Sequence, residues 1–503
     1  MQTVSLLRLS LLWTNLVLSV PIILGPASAS AGAVNKPNVL FIVIDDQNDW
    51  LGCLGHPEVQ TPNIDRLASR GTLFTNAHSQ APICNASRAS VLTGLRPSST
   101  GIYGLTPGIR DVDVTKNQVT LPQTFTEGGY FTYTCGKVYH DGSIKPKDQP
   151  REFNEWGPAP STSLPAKRFV NLPMPDQILL MDWGPWPKSD EEVCDYAIAS
   201  AAIKTLQNLP KDKPFFVACG FRLPHVPLYV PQKWFDLYPD DKLVMPRVLD
   251  TDRDDTPRFS WYLTWKDFMP RLRTLKEANQ WRSLVQSYVA CTSFMDAQAG
   301  RVLATLDATG RAKDTIVVLW SDHGWHLGEK LITGKLTLWE RSTHVPLILA
   351  GPGIGMNAKC SSPAELLDLF PTLLDLCHFP ARPDLEGHSL LPLLKDANAH
   401  RPWPAITTAC QDNHAVRDNR WRYIRYADGS EELYDRQKDP NEWVNLAGNP
   451  QYASTKERLK KWLPKKNLPS APGSTGRVLN YNPVTGVATW EGKDISPDAP
   501  ITD

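Results

Sequence analysis

Asn38-Val39-Leu40-Phe41-Ile42-Val43-Ile44-Asp45-Asp46 is the stretch that decides the fold. Val39 to Ile44 is an unbroken apolar run of strand length, and four of its six residues are β-branched. A run without polar alternation reads as a strand buried on both faces, the kind found where helices cover both sides of a parallel sheet. A second run, Ile316-Val317-Val318-Leu319-Trp320-Ser321, leads into Asp322-His323-Gly324. Lys213 to Gly220, with Phe215-Phe216-Val217-Ala218 at its centre, and Val345 to Ala350 read as further strands. Helices are expected between them. Thr61 caps one with Pro62 at its first position and Gly71 at its end. Glu277 to Leu306 and Pro363 to Cys377 have helical patterns. Strands alternating with helices predict an α/β fold, with a large, mixed but mostly parallel sheet sandwiched by helices.

The chain has 503 residues and is 41% hydrophobic, enough for one large domain and a smaller one, or for two or three of ordinary size. Lys plus Arg and Asp plus Glu are 53 each, a balance that argues against nucleic-acid binding through bulk charge. Residues 1–31 read as a signal peptide: Arg8, an apolar stretch from Leu11 to Leu24, then Ala27-Ser28-Ala29-Ser30-Ala31 with an A-x-A cleavage pattern. The competing reading, a transmembrane anchor, suffers from the shortness of the run. No stable membrane span is expected after cleavage, and the place of action is periplasmic or secreted. Residues 32–400 are expected to form the catalytic domain. Within it, Asp141 to Lys188 is rich in Pro and Trp and reads as a functional insertion. Residues 401–503 are expected to form a smaller α+β domain, with an irregular tail after Pro464. Export makes disulfides possible among the nine cysteines, without specifying a pairing.

The chemistry begins at the strand ends. In an open α/β sheet, ligands bind beyond the carboxyl ends of the strands. If the two acid-ended strands are neighbours, Asp45, Asp46 and Asp322 converge on one crevice. Such carboxylates repel unless a cation lies among them, and hard oxygen donors suit Ca²⁺ or Mg²⁺. Either motif alone could be a loop cap. Between them lies Cys84-Asn85-Ala86-Ser87-Arg88, and a helix is expected to start just after Cys84 and to stop at Gly94. A thiol at a helix N-terminus faces free N–H groups, where an anion is favoured, and Arg88 lies one turn on. A lone cysteine is more commonly a buried structural residue.

Cys84-x-Ala86-x-Arg88 followed by Leu92-Thr93-Gly94 resembles the signature of the formylglycine-dependent sulfatases, of the alkaline-phosphatase/sulfatase-like fold. Asp45-Asp46, the segment Thr61-Pro62-Asn63-Ile64-Asp65-Arg66-Leu67-Ala68, and Ser321-Asp322-His323-Gly324 resemble further family motifs, as does Glu432-Leu433-Tyr434-Asp435 near the C-terminus. Asp322-His323, Lys137 with His140, the His225 loop and Lys335 resemble the iduronate-2-sulfatase-like members. Leu331-Ile332-Thr333-Gly334 departs from them, since His-Trp is expected before the lysine.

The resemblance implies hydrolysis of sulfate esters on a sulfated sugar or uronic acid of a polysaccharide. It implies Cys84 converted to formylglycine, and one Ca²⁺, with Mg²⁺ as the second choice. The implied ligands are Asp45, Asp46, Asp322, His323 and the residue at 84. Arg88, Lys137 and Lys335 would hold charge on the sulfate, His140 would serve as base and His225 as acid. The implied partners are a sulfated saccharide and a formylglycine-generating or anaerobic sulfatase-maturating enzyme. The alternative is a phosphonate or phosphate ester hydrolase of the same superfamily. Asn85-Ala86-Ser87 is the mature chain's N-x-S/T sequon and lies inside the nucleophile motif, which leans toward a bacterial exterior.

Conversion of Cys84 replaces a thiol-bearing carbon with an aldehyde. The peptide containing Cys84 should therefore be lighter than its sequence mass, as mass spectrometry of the mature protein would read. Fully active protein with an unmodified Cys84 would refute the conversion.

Overall fold

The computed structural model describes Met1, residues 36–161, 163–174 and 177–501. The signal-peptide expectation falls on residues outside these. Residues from Pro37 onward form one compact unit, separate from Met1–Lys36, and that larger unit is described below.

Its centre is an eight-stranded sheet: β1 (Asn38–Ile44), β2 (Gly71–Phe74), β3 (Phe131–Gly136), β4 (Glu155–Trp156), β5 (Phe215–Phe221), β6 (Thr315–Ser321), β7 (Leu347–Ala350) and β8 (Ala358–Cys360). Their spatial order is β8-β2-β7-β6-β1-β5-β3-β4. β7 runs antiparallel to both of its neighbours, and the other pairings are parallel. The sheet is thus mixed and mostly parallel, as expected. β1 lies between β5 and β6, so the strand read first is the axis of the sheet.

Both faces of β1 are apolar because both are covered. Val39, Phe41 and Val43 share one core with Phe216, Val318, Trp320 and the helices α2 (Cys84–Thr93) and α5 (Leu369–Leu376). Leu40, Ile42 and Ile44 share the other with Val217, Leu319 and the helices α1 (Pro62–Ser69), α3 (Cys194–Gln207) and α4 (Trp281–Ala308). Such an arrangement removes every side chain of the strand from water, which is why its sequence lacks alternation.

Four expected boundaries shift. The first helix ends at Ser69 and Gly71 opens β2, because a side chain at 71 would overlap Leu349 and Ala350 of β7. The pattern from Glu277 is broken at Asn279, whose φ is +54°, so a short helix Leu272–Glu277 precedes α4. The segment from Pro363 begins as a short strand, Ala364–Glu365, passes through a 3-10 turn, Leu366–Asp368, and becomes α-helical at Leu369. The tail after Pro464 is partly regular: Leu479–Asn482, Val487–Trp490 and Lys493–Ile495 form an antiparallel sheet. Its Leu479, Trp490 and Ile495 join the main core, and that burial orders a polar-looking segment.

The insertion is anchored at both ends. Glu155–Trp156 adds the edge strand β4, and Trp183–Pro185 pairs with Leu228–Val230. The C-terminal part holds a four-stranded antiparallel sheet, β9 (Ala405–Thr408), β10 (His414–Arg417), β11 (Trp421–Arg425) and β12 (Glu431–Asp435). Helix α6 (Ala453–Lys460) contributes Leu459 to the small core behind it. All nine cysteines are free. Among the described residues, no helix is long and apolar enough to cross a membrane.

Gly136 and Gly220 lie opposite each other at the ends of β3 and β5. A Cβ on Gly220 would overlap the backbone of Lys137, and one on Gly136, whose φ is +69°, would overlap the Gly220 carbonyl. Gly220→Ala should push Lys137 outward and destabilise the fold by about 1–3 kcal/mol. Denaturant unfolding would read the loss, and a midpoint equal to the parent's would show that the strand ends can separate freely.

Candidate functional site

The register places the acids. Ile44 lies opposite Ser321 on one side and Phe221 on the other, so the chain emerges from β1, β5 and β6 at one level. Asp45 and Asp46 leave β1 beside Asp322, whose amide donates to the Ile44 carbonyl at 3.1 Å. Asp46 has φ +63°, unusual outside glycine. Its amide donates to Asp322 Oδ1 at 3.1 Å, and the Tyr288 hydroxyl donates to its carbonyl at 2.8 Å. Tyr288 comes from α4. It stands between Gln286-Ser287 and Val289-Ala290 in the sequence, and nothing there marked it as a support for the site.

Cys84 is itself the first residue of α2, whose start was expected just after it, and is buried. Ile83 before it is extended, and Gly94 ends the helix with φ +73°. Cys84 Sγ lies 3.0 Å from Lys335 Nζ, 3.3 Å from His323 Nε2 and 4.0 Å from Asp46 Oδ1. Arg88 Nε donates to Asp322 Oδ2 at 2.8 Å, and its Nη2 lies 3.3 Å from Asp45 Oδ1. Lys137 pairs with the other oxygen of Asp45. Lys335 reaches Asp46 Oδ1 at 2.8 Å, and His225 Nε2 lies 3.9 Å from Asp46 Oδ2. One ligand atom each from Asp45, Asp46, Cys84 and His323 fall within 4.8 Å of one another. Asp322 stands beside this group, with its oxygens engaged by Arg88 and by the amides of Asp46 and His323.

The electrostatics follow from burial. Burial pushes Asp46 up to about 7, against the pull of Lys335 and with the help of Asp45. Asp45 is equally buried, yet Lys137, His225 and Arg88 hold it well below the usual carboxylate range. Burial and Asp45 raise the Cys84 thiol, but Lys137 and Lys335 outweigh them and bring it down to about 7. Burial lowers His323, and Asp322, Cys84 and Asp46 still lift it to about 9. An interior this rich in acids calls for positive charge wherever it can be found.

The site fits a divalent cation. Asp46 Oδ2 is buried without a hydrogen-bond partner among the described residues. His323 Nδ1 lies 3.0 Å from the Gly324 carbonyl, which takes the ring proton there and leaves Nε2 facing the acids and Cys84. A metal-ligating histidine is commonly oriented in that way. Carboxylate oxygens with one imidazole suit a hard or borderline ion.

His140 is not among the hydrogen-bond partners described for Cys84. It is half-buried, its Nδ1 has no hydrogen-bond partner, and burial together with Lys137 lowers it to about 4. With Asp141, Tyr139 and Trp156 it lines a cavity of about 260 Å³. His225 Nδ1 lies 2.6 Å from the Val226 carbonyl, and burial and Lys137 keep the ring well below its usual value. Asn85 is buried, and its amide donates to the carbonyls of Gly104 and Pro107 at 3.2 and 3.0 Å. The departing segment after Lys330 is also ordered, with Thr333–Gly334 paired to His326–Leu327.

Residues 37–379 match the family described as Sulfatase, and residues 328–468 match the C-terminal family of N-sulphoglucosamine sulphohydrolase. The chain is 41% identical over 451 residues to a sulfatase of Formosa agariphila, covering 86% of this chain and 87% of that protein. It is 34% identical over 387 residues to iduronate 2-sulfatase of Homo sapiens, covering 72% of this chain and 68% of that one. A solved 2-O GAG sulfatase superposes with a TM-score of 0.66 at 25% identity, over 85% of this chain and 91% of that one. Phosphonate monoester hydrolase of Agrobacterium radiobacter superposes with 0.67 at 21% identity, over 85% and 94%, which speaks to the fold alone. The first family match spans well over half of the chain and contains the buried acid cluster and Cys84, so the protein belongs to the sulfatase family and is a hydrolase of sulfate esters.

Proposed function

We propose that the protein removes a sulfate group from a sulfated sugar or uronic acid of a polysaccharide, with an iduronate-2-sulfatase-like preference. Cys84, converted to formylglycine, would be the nucleophile. One observation carries this reading: a buried thiol at a helix N-terminus lies 3.0 Å from Lys335 and 3.3 Å from His323, beside two carboxylates. The saccharide is suggested by the iduronate and GAG sulfatases among the relatives. A bacterial relative and the leader pattern favour a periplasmic or secreted enzyme. Its maturation would fall to a formylglycine-generating or anaerobic sulfatase-maturating enzyme.

Hydrated formylglycine carries two hydroxyls on one carbon. One oxygen attacks sulfur, and the bond from sulfur to the sugar oxygen breaks. The second hydroxyl then loses its proton, the carbonyl re-forms and sulfate leaves. Asp45, Asp46, Asp322, His323 and the residue at 84 would hold the divalent ion. When bound, that ion supplies positive charge to the sulfate and the nucleophile. Lys137, Lys335 and Arg88 add fixed charge to the same place. Lys335 is already in contact with the residue at 84. Arg88, through Asp322 and Asp45, orients the acids. His225 would protonate the departing sugar oxygen, since an anionic sulfate beside it favours the imidazolium. His140, at the edge of its cavity, would take the hydroxyl proton after a short approach.

The alternative, hydrolysis of phosphonate or phosphate esters, shares the fold. Turnover of aryl sulfate, aryl phosphate and aryl phosphonate esters separates the readings, and the sulfate ester should be fastest. A faster phosphonate would reverse the assignment. Cys84→Ser should form a sulfate ester with no second hydroxyl to expel it, lowering turnover by about 10³-fold or more. Repeated turnover by that variant would sink the mechanism.

Chelation should abolish activity, and Ca²⁺ should restore it better than Zn²⁺, because oxygen donors dominate. Melting of the chelated protein should also shift upward as Ca²⁺ is added. A metal-free enzyme with full activity and no such shift is the contrary result.

A further inference from the structure

The C-terminal sheet carries a cavity of about 280 Å³ that sulfate transfer does not use. Trp403, Trp421 and Trp462 line it, together with Arg401, Arg420 and Arg458. It lies where the segment before β9, the turn between β10 and β11, and the end of α6 meet. None of its lining residues belongs to the acid cluster or contacts Cys84.

Three features give it a chemistry. The first is a fixed aromatic plane. Trp403 is 37% exposed, yet its ring is stacked on His388, with centroids 4.0 Å apart and planes at 16°. Pro402 and Pro404 flank it in the chain and restrict its backbone. A large apolar ring held in place before any ligand arrives loses little entropy on binding. The second is charge. Three arginines line the cavity against one acid, Asp418. Each arginine has a carboxylate partner: Arg401 with Asp368 at 2.6 Å, Arg420 with Asp435 at 2.5 Å, Arg458 with Asp418 at 2.7 Å. A guanidinium has five donors, so these pairs orient the groups and leave N–H groups over. The third is an unanswered donor: the Arg401 side chain is 3% exposed, and its Nε is buried without a hydrogen-bond partner among the described residues.

Indole faces pack against the C–H surface of a pyranose ring, and guanidinium groups match sulfate oxygens. A small inorganic anion would leave the exposed Trp403 ring unused, and a neutral sugar would leave the arginines unused. We propose that this cavity is a second saccharide site, which binds a sulfated sugar unit of a polysaccharide without hydrolysing it. It would hold the polymer while the catalytic cluster works on another unit of the same chain, raising the local concentration of sulfate esters. The proposal rests on a sulfated saccharide being the substrate.

The test uses the full chain in a Cys84→Ala background, which leaves the polymer intact. Heparin, ulvan and carrageenan, each with its desulfated form, are the probes, read by affinity electrophoresis. Trp403→Ala should weaken binding to the preferred sulfated polymer about tenfold, a change of ~1.4 kcal/mol. Arg458→Gln should weaken it as well, and Trp403→Phe should recover part of the loss. With Cys84 intact, Trp403→Ala should hydrolyse a small aryl sulfate ester at the parent rate. Unchanged polymer affinity in both Trp403→Ala and Arg458→Gln overturns the second site. So does equal binding of sulfated and desulfated polymer, or tighter binding of a single-stranded oligonucleotide, which would also find indoles and arginines there. Aryl sulfate turnover without any polymer binding would defeat this site and leave the proposed function standing. Loss of polymer binding in Trp403→Ala without any sulfatase turnover would do the reverse.

Discussion

Negative charge held away from water is the constraint from which the rest of this structure follows. Asp45, Asp46 and Asp322 are all fully buried, at the carboxyl ends of two adjacent strands. Taking one carboxylate out of water costs several kcal/mol unless something answers it. Here Arg88, Lys137, Lys335 and His323 answer, each from a different part of the chain. The contrast between Asp45 and Asp46 shows how local the balance is. Both are buried, yet Lys137, His225 and Arg88 push one far down while the other stays near 7. A group so poised, with one oxygen unpartnered, is where an added cation gains most.

The surrounding architecture serves that balance. Gly136 and Gly220 let β3 and β5 close together so that Lys137 can reach Asp45. The left-handed backbone at Asp46 is held by Tyr288 and by Asp322, so that its carboxylate faces Lys335 and Cys84. Strained residues persist only where neighbours over-determine them, and they concentrate where chemistry is done. Arg88 ties α2, and with it Cys84, to both acid-bearing strands. Cys84, the charges around it and the sheet that carries both form one unit.

Catalysis and recognition make opposite demands. The acid cluster needs dryness, and its members are almost all fully buried. Recognition of a long, charged polymer, as proposed for the C-terminal sheet, would draw on the exposed ring of Trp403 and the arginines beside it. The small antiparallel sheet presents loops and turns on a rigid frame, an arrangement in which side chains can face solvent without disturbing the core.

Much of this was legible in the sequence, for identifiable reasons. β1 and β6 announce themselves because a strand covered on both faces must be apolar at every position, and Asp45, Asp46 and Asp322 stand out as acids at the ends of such runs. Cys84 and Arg88 are one helical turn apart, a local relation that spacing alone conveys. Lys137, His225 and Lys335 became candidates only through a family resemblance, since their approach to the acids joins segments far apart in the chain. The helix boundaries at Gly71 and Asn279, and the strands after Pro464, were misread because packing against Leu349, Ala350 and the main core overrides local pattern. Tyr288, a lone tyrosine within a helix, gave no signal at all. The sequence by itself determined which segments are strands buried on both faces, which acids end them, and that a thiol stands at the start of a helix between them. Only the tertiary structure decided which cation faces which carboxylate, because that depends on strand register and on glycines that permit a close approach, and neither leaves a periodic trace in the chain.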